Sequence, residues 1–338
     1  MLAYVLTRYG GAGAMEFRDV PEPRPGPGEV RIRVAAAGLN PVDYKMRQGK
    51  LRVISGHRLP IIAGCEVAGT VDAVGAGTSG FKTGDRVYAR VDKATLGAFA
   101  ELVCVQQGHV AAMPVSLGFA EAAGLPLAGL TALQALRDEL SVRKGTRLLI
   151  SGGAGGVGTL AIQLAKHFGA EVTTTASPRG DELVRRLGAD RVIDYTRERI
   201  GDEPRIYDAV LDLVGGQTLK QSFRILKPGG MAVSIAGVPE PLTARKDLAA
   251  PGWVAALFWA ISLPVRLRAR RAGARYRYLF MHPSADDLRF LATLVDEGAL
   301  QPVVDSEYPF GSIAEAFAAL EQGHAKGKIV VTLPAAPR

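Results

Sequence analysis

LLISGGAGGVGTLAIQLAKHFGAEV occupies residues 148–172, and five of the seven residues 152–158 are glycine. Glycine loses more backbone freedom on ordering than any other residue, so such a cluster marks a place where side chains would collide with something. The run before it reads as a strand. TLAIQLAKHF after it repeats apolar residues at helical spacing. Gly153, Gly155 and Gly158 fit G-x-G-x-x-G between that strand and that helix, the context a dinucleotide fingerprint requires. Gly153 and Gly155 are expected to allow a sharp turn and close approach to a pyrophosphate, and Gly158 tight packing of helix on strand. The phosphates would then meet the unpaired N–H groups and dipole of the helix N-terminus. The expected cradle is Gly152, Gly153, Ala154, Gly155, Gly156 and Val157. A Walker loop needs a Lys-Ser/Thr pair where Val157, Gly158 and Thr159 stand. The other alternative is a merely tight strand–helix turn.

The next strand, EVTTTA, bears on which dinucleotide is bound. NAD sites usually carry an acid about 20 residues after the glycines, accepting from the ribose. Here Glu171 stands too early, Ser177 and Arg179 occupy the expected place, and Asp181 lies further on, in DELVRRL. A carboxylate would repel a 2′-phosphate, whereas an arginine pairs with one bidentately. NADPH is therefore the expected cofactor, with an ordinary surface arginine as the alternative. Tyr195, closing RVIDY, is placed to stack or donate nearby, and Val214, Ala236 and Gly237 follow the later strands YDAVLDL and GMAVSIAG.

Outward from this centre the chain has two characters. Strands and helices alternate from about residue 119 to 284, which calls for a parallel sheet covered on both faces. Residues 1–118 read as short strands with glycine turns, suggesting a partly closed barrel. The closing elements, ADDLRFLATLVDEGAL, SIAEAFAALEQG and KIVVTL, have no place in a six-stranded doubly wound sheet and are expected to return to the first domain, giving 1–118, 119–284 and 285–338. With 338 residues, 48% of them hydrophobic, two domains are the natural expectation. Two cysteines, Cys65 and Cys104, exclude a disulfide framework and a four-cysteine zinc site, and a cytoplasmic address follows as the default.

The net charge of +8 is largely local. No acidic residue falls between Leu248 and Ala285, where Arg266, Arg268, Arg270, Arg271, Arg275 and Arg277 cluster. LAAPGWVAALFWAISLPV, residues 248–265, carries no charge, but Pro251 and Pro264 leave too short an unbroken run to cross a bilayer. A helix buried against its own protein or a second subunit is expected. Peripheral membrane contact through residues 248–277 is the alternative. No nucleic-acid partner is expected.

GGAGGVGTLAIQLAKHFGAEV, GLTALQAL, LGADRVIDY, LDLVGG and QGHAKGKIVV together resemble the zinc-independent branch of the medium-chain dehydrogenase/reductase superfamily, which includes quinone oxidoreductases and enone reductases. The resemblance spans nearly the whole chain except residues 241–274. It implies a Rossmann domain inserted in a discontinuous GroES-like barrel, and a homodimer built on the edge segment RYRYLFMH. It also implies that Asn40 and Cys65 stand where the zinc branch keeps a cysteine and a histidine, leaving only Glu66, so no metal is expected. Thr131 matches a residue that packs against the nicotinamide. In the loop GLNPVDY, Asn40 is the implied hydrogen-bond donor to the acceptor oxygen and Tyr44 the candidate proton donor, while Asp43 holds the loop together. The implied activity is metal-free hydride transfer from NADPH to a quinone or α,β-unsaturated carbonyl. The alternatives are an enoyl-thioester reductase of a biosynthetic pathway and a non-catalytic NADPH-sensing protein.

Overall fold

Leu148, Leu149 and Ile150 are each wholly buried, because the strand Arg147–Ser151 lies in mid-sheet with elements on both faces. That is why its sequence is a continuous apolar run rather than an alternation. The computed structural model describes residues 1–52 and 56–334 and divides into two units, Thr131–His282 and Met1–Leu130 with Pro283–Arg338. Residues 335–338 of the expected returning segment lie outside the described residues.

In the unit Thr131–His282, six parallel strands run in the order Arg191–Asp194, Glu171–Ala176, Arg147–Ser151, Tyr207–Asp212, Leu226–Ser234 and Arg275–Tyr278. Numbered along the chain within this sheet, that is 3-2-1-4-5-6, with the order reversing at Arg147–Ser151. Such a reversal opens a crevice beyond the carboxyl ends of the strands, where ligands bind in this architecture. The helices Gly156–His167, Pro178–Arg186 and Gly216–Ile225 connect the strands. Arg275–Tyr278 ends the sheet and pairs only with Leu226–Ser234 among the described strands.

The other unit is mostly antiparallel. Glu29–Leu39 is its longest strand, pairing with Glu66–Val74, Leu102–Gln106 and Lys328–Thr332. Its alternating inward residues Val30, Ile32 and Val34 join Val67, Val87, Phe99 and Val331 in one core. The C-terminal strand Lys328–Thr332 thus completes a sheet begun some 290 residues earlier, which explains the leftover strand of the sequence pattern.

Two expectations change here. Residues 119–130 belong with the first unit, because Ala122 and Ala123 are wholly buried and the Leu127 N–H donates to Glu66 at 2.6 Å. The change of sequence texture near Ser116 marks a change from strand to helix, not a boundary. Pro264 does not end its helix: Gly252–Arg271 continues through it. Proline removes the bond to the carbonyl four residues back. That residue, Ala260, is exposed, so solvent can meet the freed group.

Candidate functional site

The glycine turn is built by contacts that a Cβ would destroy. Gly152 has φ +77°, so it is the left-handed residue of the turn, and its N–H donates to Thr175 Oγ1 at 2.9 Å. The role expected of Gly153 therefore shifts. Its conformation is ordinary, but a Cβ there would lie 2.1 Å from Thr174 Oγ1. At Gly158 a Cβ would lie 2.3 Å from the Gly152 carbonyl oxygen and 2.7 Å from Gly153 Cα, so this glycine sets the close helix–strand approach. At Gly155, the helix N-cap, a Cβ would meet nothing nearer than 3.5 Å. The fold itself leaves that position open. The helix has no side-chain N-cap, so the first-turn amides from Gly156 onward lack intrahelical partners and face an anion-favouring dipole.

Ser177 stands at the N-cap position of the next helix without a side-chain capping bond, and Arg179 lies exposed in its first turn. The backbone there comes close to the glycine turn, since a Cβ on Gly180 would be 2.9 Å from Ala154 Cβ. Arg179 makes no hydrogen bond or ion pair with any described residue. Asp181 is tied to Arg185 at 2.7 Å and is not a free carboxylate. Tyr195 is 60% exposed, just past the end of Arg191–Asp194. Val214 is 55% exposed and its Cγ2 would lie 3.2 Å from a Cβ on Gly152. Ala236 borders the same crevice: its carbonyl oxygen lies 2.3 Å from where a Gly215 Cβ would stand. Gly237 packs under Tyr276, whose hydroxyl would be 2.5 Å from an added Cβ.

Sequence reasoning missed Asp212. It is wholly buried and accepts hydrogen bonds from Ser151 Oγ at 3.0 Å, Ser234 Oγ at 2.6 Å and the Gly215 N–H at 3.0 Å. One carboxylate thereby ties together the ends of three adjacent strands and the turn carrying Val214. The serine closing each neighbouring strand was the available signal. Thr131 lies buried in the helix Pro126–Leu133.

In the unit that holds Asn40, the short helix Pro41–Arg47 begins at that residue. Asp43 accepts from the Asn40 N–H at 2.8 Å and from the Cys65 thiol at 3.1 Å, so it does hold the loop. Full burial pushes the Asp43 carboxyl up to about 6, against the lowering effects of those bonds and of Lys328. Burial first, and then the Asp43 charge, pushes the Cys65 thiol well above its usual range, so it serves as a donor.

Lys328 is almost fully buried, and its ammonium donates to the Leu39 carbonyl at 2.9 Å, Asn40 Oδ1 at 2.5 Å and Glu66 Oε1 at 2.7 Å. Asn40 Nδ2 in turn donates to Glu66 Oε1 at 2.7 Å and more weakly to the Gly38 carbonyl at 3.4 Å. Gly38 is glycine because a Cβ there would lie 2.3 Å from Glu66 Oε1 and 2.6 Å from the Ala123 carbonyl. The expected donor role of Asn40 is thus corrected: its amide is committed inside a buried network, and the residue is only 3% exposed. Lysine can only donate, which fixes the amide orientation. Tyr44 differs. It is half-buried on the same helix, its hydroxyl has no partner among the described residues, and burial, then Glu321, raises its pKa. No three His, Cys, Asp or Glu side chains gather as a metal site among the described residues.

A glycine turn opening a helix at the switch point of a 3-2-1-4-5-6 sheet defines a Rossmann dinucleotide-binding unit, here carried with a GroES-like β unit. Comparison with known proteins agrees. Residues 26–115 match the family model "Alcohol dehydrogenase GroES-like domain" and residues 187–331 match "Zinc-binding dehydrogenase". The chain is 38% identical to the NADPH-dependent alkenal/one oxidoreductase, chloroplastic, of Arabidopsis thaliana, over 98% of this chain and 79% of that protein. It is 36% identical to the NAD(P)H oxidoreductase RTN4IP1, mitochondrial, of Danio rerio, over 98% and 91%. The solved quinone oxidoreductase of Coxiella burnetii superposes with a TM-score of 0.86 at 32% identity, over 99% of both chains. The chain belongs to the medium-chain dehydrogenase/reductase superfamily.

Proposed function

We propose that this protein is an NADPH-dependent reductase of quinones or α,β-unsaturated carbonyls that works without zinc. The observation that carries the reading is the unpaired guanidinium of Arg179 beside a glycine turn, in a position where an NAD site would carry a carboxylate. The relatives named for NADPH, alkenals and quinones support it. The turn amides would hold the pyrophosphate, and Arg179 with Ser177 the 2′-phosphate. When bound, the nicotinamide supplies a hydride.

The zinc-free reading is supported by the ammonium of Lys328, 2.7 Å from Glu66, among the residues that would otherwise act as ligands. A fixed cation amid one carboxylate, a protonated thiol and a committed amide is a poor donor set for a second cation. Without a Lewis acid the acceptor must spread the developing charge itself, as a conjugated carbonyl or quinone does. Tyr44 is the candidate group to hold that oxygen and give it a proton. The enoyl reductase CurK, superposing with a TM-score of 0.84 at 27% identity, keeps an acyl-thioester acceptor as the second reading.

A panel of enones, quinones and acyl thioesters, followed by NADPH oxidation, tests the assignment. Activity above background is expected with the first two classes, and none with any acceptor refutes it. Arg179→Ala is expected to weaken NADPH binding by at least about tenfold more than NADH binding. Equal losses for both would overturn the phosphate assignment.

A further inference from the structure

The motifs that carry the family resemblance in the sequence leave out residues 241–274, a stretch that the family match over residues 187–331 does include and that carries the helix Gly252–Arg271. Val254, Ala255, Phe258, Ser262 and Ala269 form its buried stripe, with Ala269 in the core beneath the sheet. The opposite stripe runs through Trp253, Leu257, Ala260, Pro264 and Leu267, all exposed, and Ile261 widens it. Trp253 is 60% exposed and Ile261 46%. The fold of the chain itself therefore buries one face of this helix and leaves the other bare. A contiguous bare apolar face of this kind marks a contact surface.

Charge indicates what the surface meets. The outward stripe continues into Arg268 and Arg271, flanked by Arg270. None of these three guanidiniums makes a hydrogen bond or ion pair with a described residue. Beside the helix, a cavity of about 310 Å³ is lined in part by Arg266, Arg270 and Arg275. Arg266 itself stacks over Trp259 at 5.6 Å and donates to Ser262 Oγ. A second copy docked on this face would bring the unpaired arginines of both together, since the carboxylates that line the cavity, Glu139 and Glu240, are already paired with Arg277. A nucleic acid would satisfy the arginines and leave the tryptophan–leucine face uncovered.

We propose that this helix docks the protein on an anionic lipid surface. It lies in the plane of the interface, with Trp253, Leu257, Ile261 and Leu267 at the headgroup boundary and the arginines on lipid phosphates. It does not cross the membrane: among the described residues no helix is long and apolar enough to do so.

Both tryptophans of the chain, Trp253 and Trp259, lie on this helix, so intrinsic emission reports on it alone. The full chain is mixed with vesicles of phosphatidylcholine, or of phosphatidylcholine and phosphatidylserine in equal amounts. A blue shift and co-sedimentation are expected with the anionic vesicles, with partitioning at least about tenfold stronger than on neutral ones and weakened by salt. Leu257→Glu with Ile261→Glu should abolish both signals without changing NADPH affinity or the thermal midpoint. Arg268→Gln with Arg271→Gln should remove the preference for anionic vesicles. Absence of both signals on anionic vesicles overturns the proposal. So does a lipid-independent blue shift that grows with protein concentration, which would assign the face to a second copy. Binding to single-stranded nucleic acid that survives the Leu257→Glu, Ile261→Glu change and exceeds binding to vesicles would also overturn it.

Discussion

Replacing Lys328 with methionine keeps the length of the side chain and removes one buried charge. In the native protein three acceptors converge on the ammonium, the shortest contact being 2.5 Å to Asn40 Oδ1, and Glu66 is wholly buried. At the 2.7 Å separation from Glu66 the gross attraction is about 6 kcal/mol for an effective dielectric of about 20. Desolvation of the two ions offsets much of that while both are present. Removing only the lysine loses the attraction and leaves the cost of burying the carboxylate, so Lys328→Met should destabilise by about 3–5 kcal/mol. Glu66 would retain the Asn40 amide and the Leu127 N–H, which keeps the loss from growing further. The assay is urea unfolding followed by far-ultraviolet circular dichroism, because both tryptophans lie in the other unit. Adding Glu66→Gln to Lys328→Met should recover at least half of the loss, since no buried charge is then left unpaired. A Lys328→Met loss below about 1 kcal/mol, the range of an exposed ion pair, would refute the reasoning. So would a double variant less stable than Lys328→Met alone.

Three further outcomes are expected. Burial raises the Asp43 carboxyl from 3.8 to about 6 in the folded protein, so the fold binds this proton more tightly than the unfolded chain does. Stability from this group is full below about pH 4 and is lost as pH rises towards 6, and Asp43→Asn should flatten that part of a stability–pH profile. Gly158→Ala places a Cβ 2.3 Å from the Gly152 carbonyl oxygen, against backbone that cannot yield cheaply, and should cost about 1–3 kcal/mol and abolish calorimetric NADPH binding. Tyr44→Phe should lower turnover by about 10²-fold while leaving NADPH affinity unchanged, and an unchanged turnover would remove Tyr44 from the reaction.

The fold was legible because its signals are local. A strand, a glycine cluster and an amphipathic helix lie within residues 148–172, and their spacing alone implies the dinucleotide turn. The arginine in place of an acid after the second strand was equally visible. What the one-dimensional pattern could not settle was which glycine bends the chain: only φ at Gly152 separates a left-handed residue from one excluding a neighbour's side chain.

Residue type alone determined that two cysteines support no disulfide framework and that residues 248–285 carry cations without carboxylates. Tertiary structure decided the rest, because burial and hydrogen-bond partners come from chain segments far apart. Lys328 and Asn40 are 288 residues apart, yet their contact turns an apparent substrate donor into part of a buried ion network. Asp212 reads as one acid among many until Ser151 and Ser234 converge on it. The bare face of Gly252–Arg271 likewise emerges only once packing has used the other side, since composition gives the content of a helix but not which stripe its own core covers.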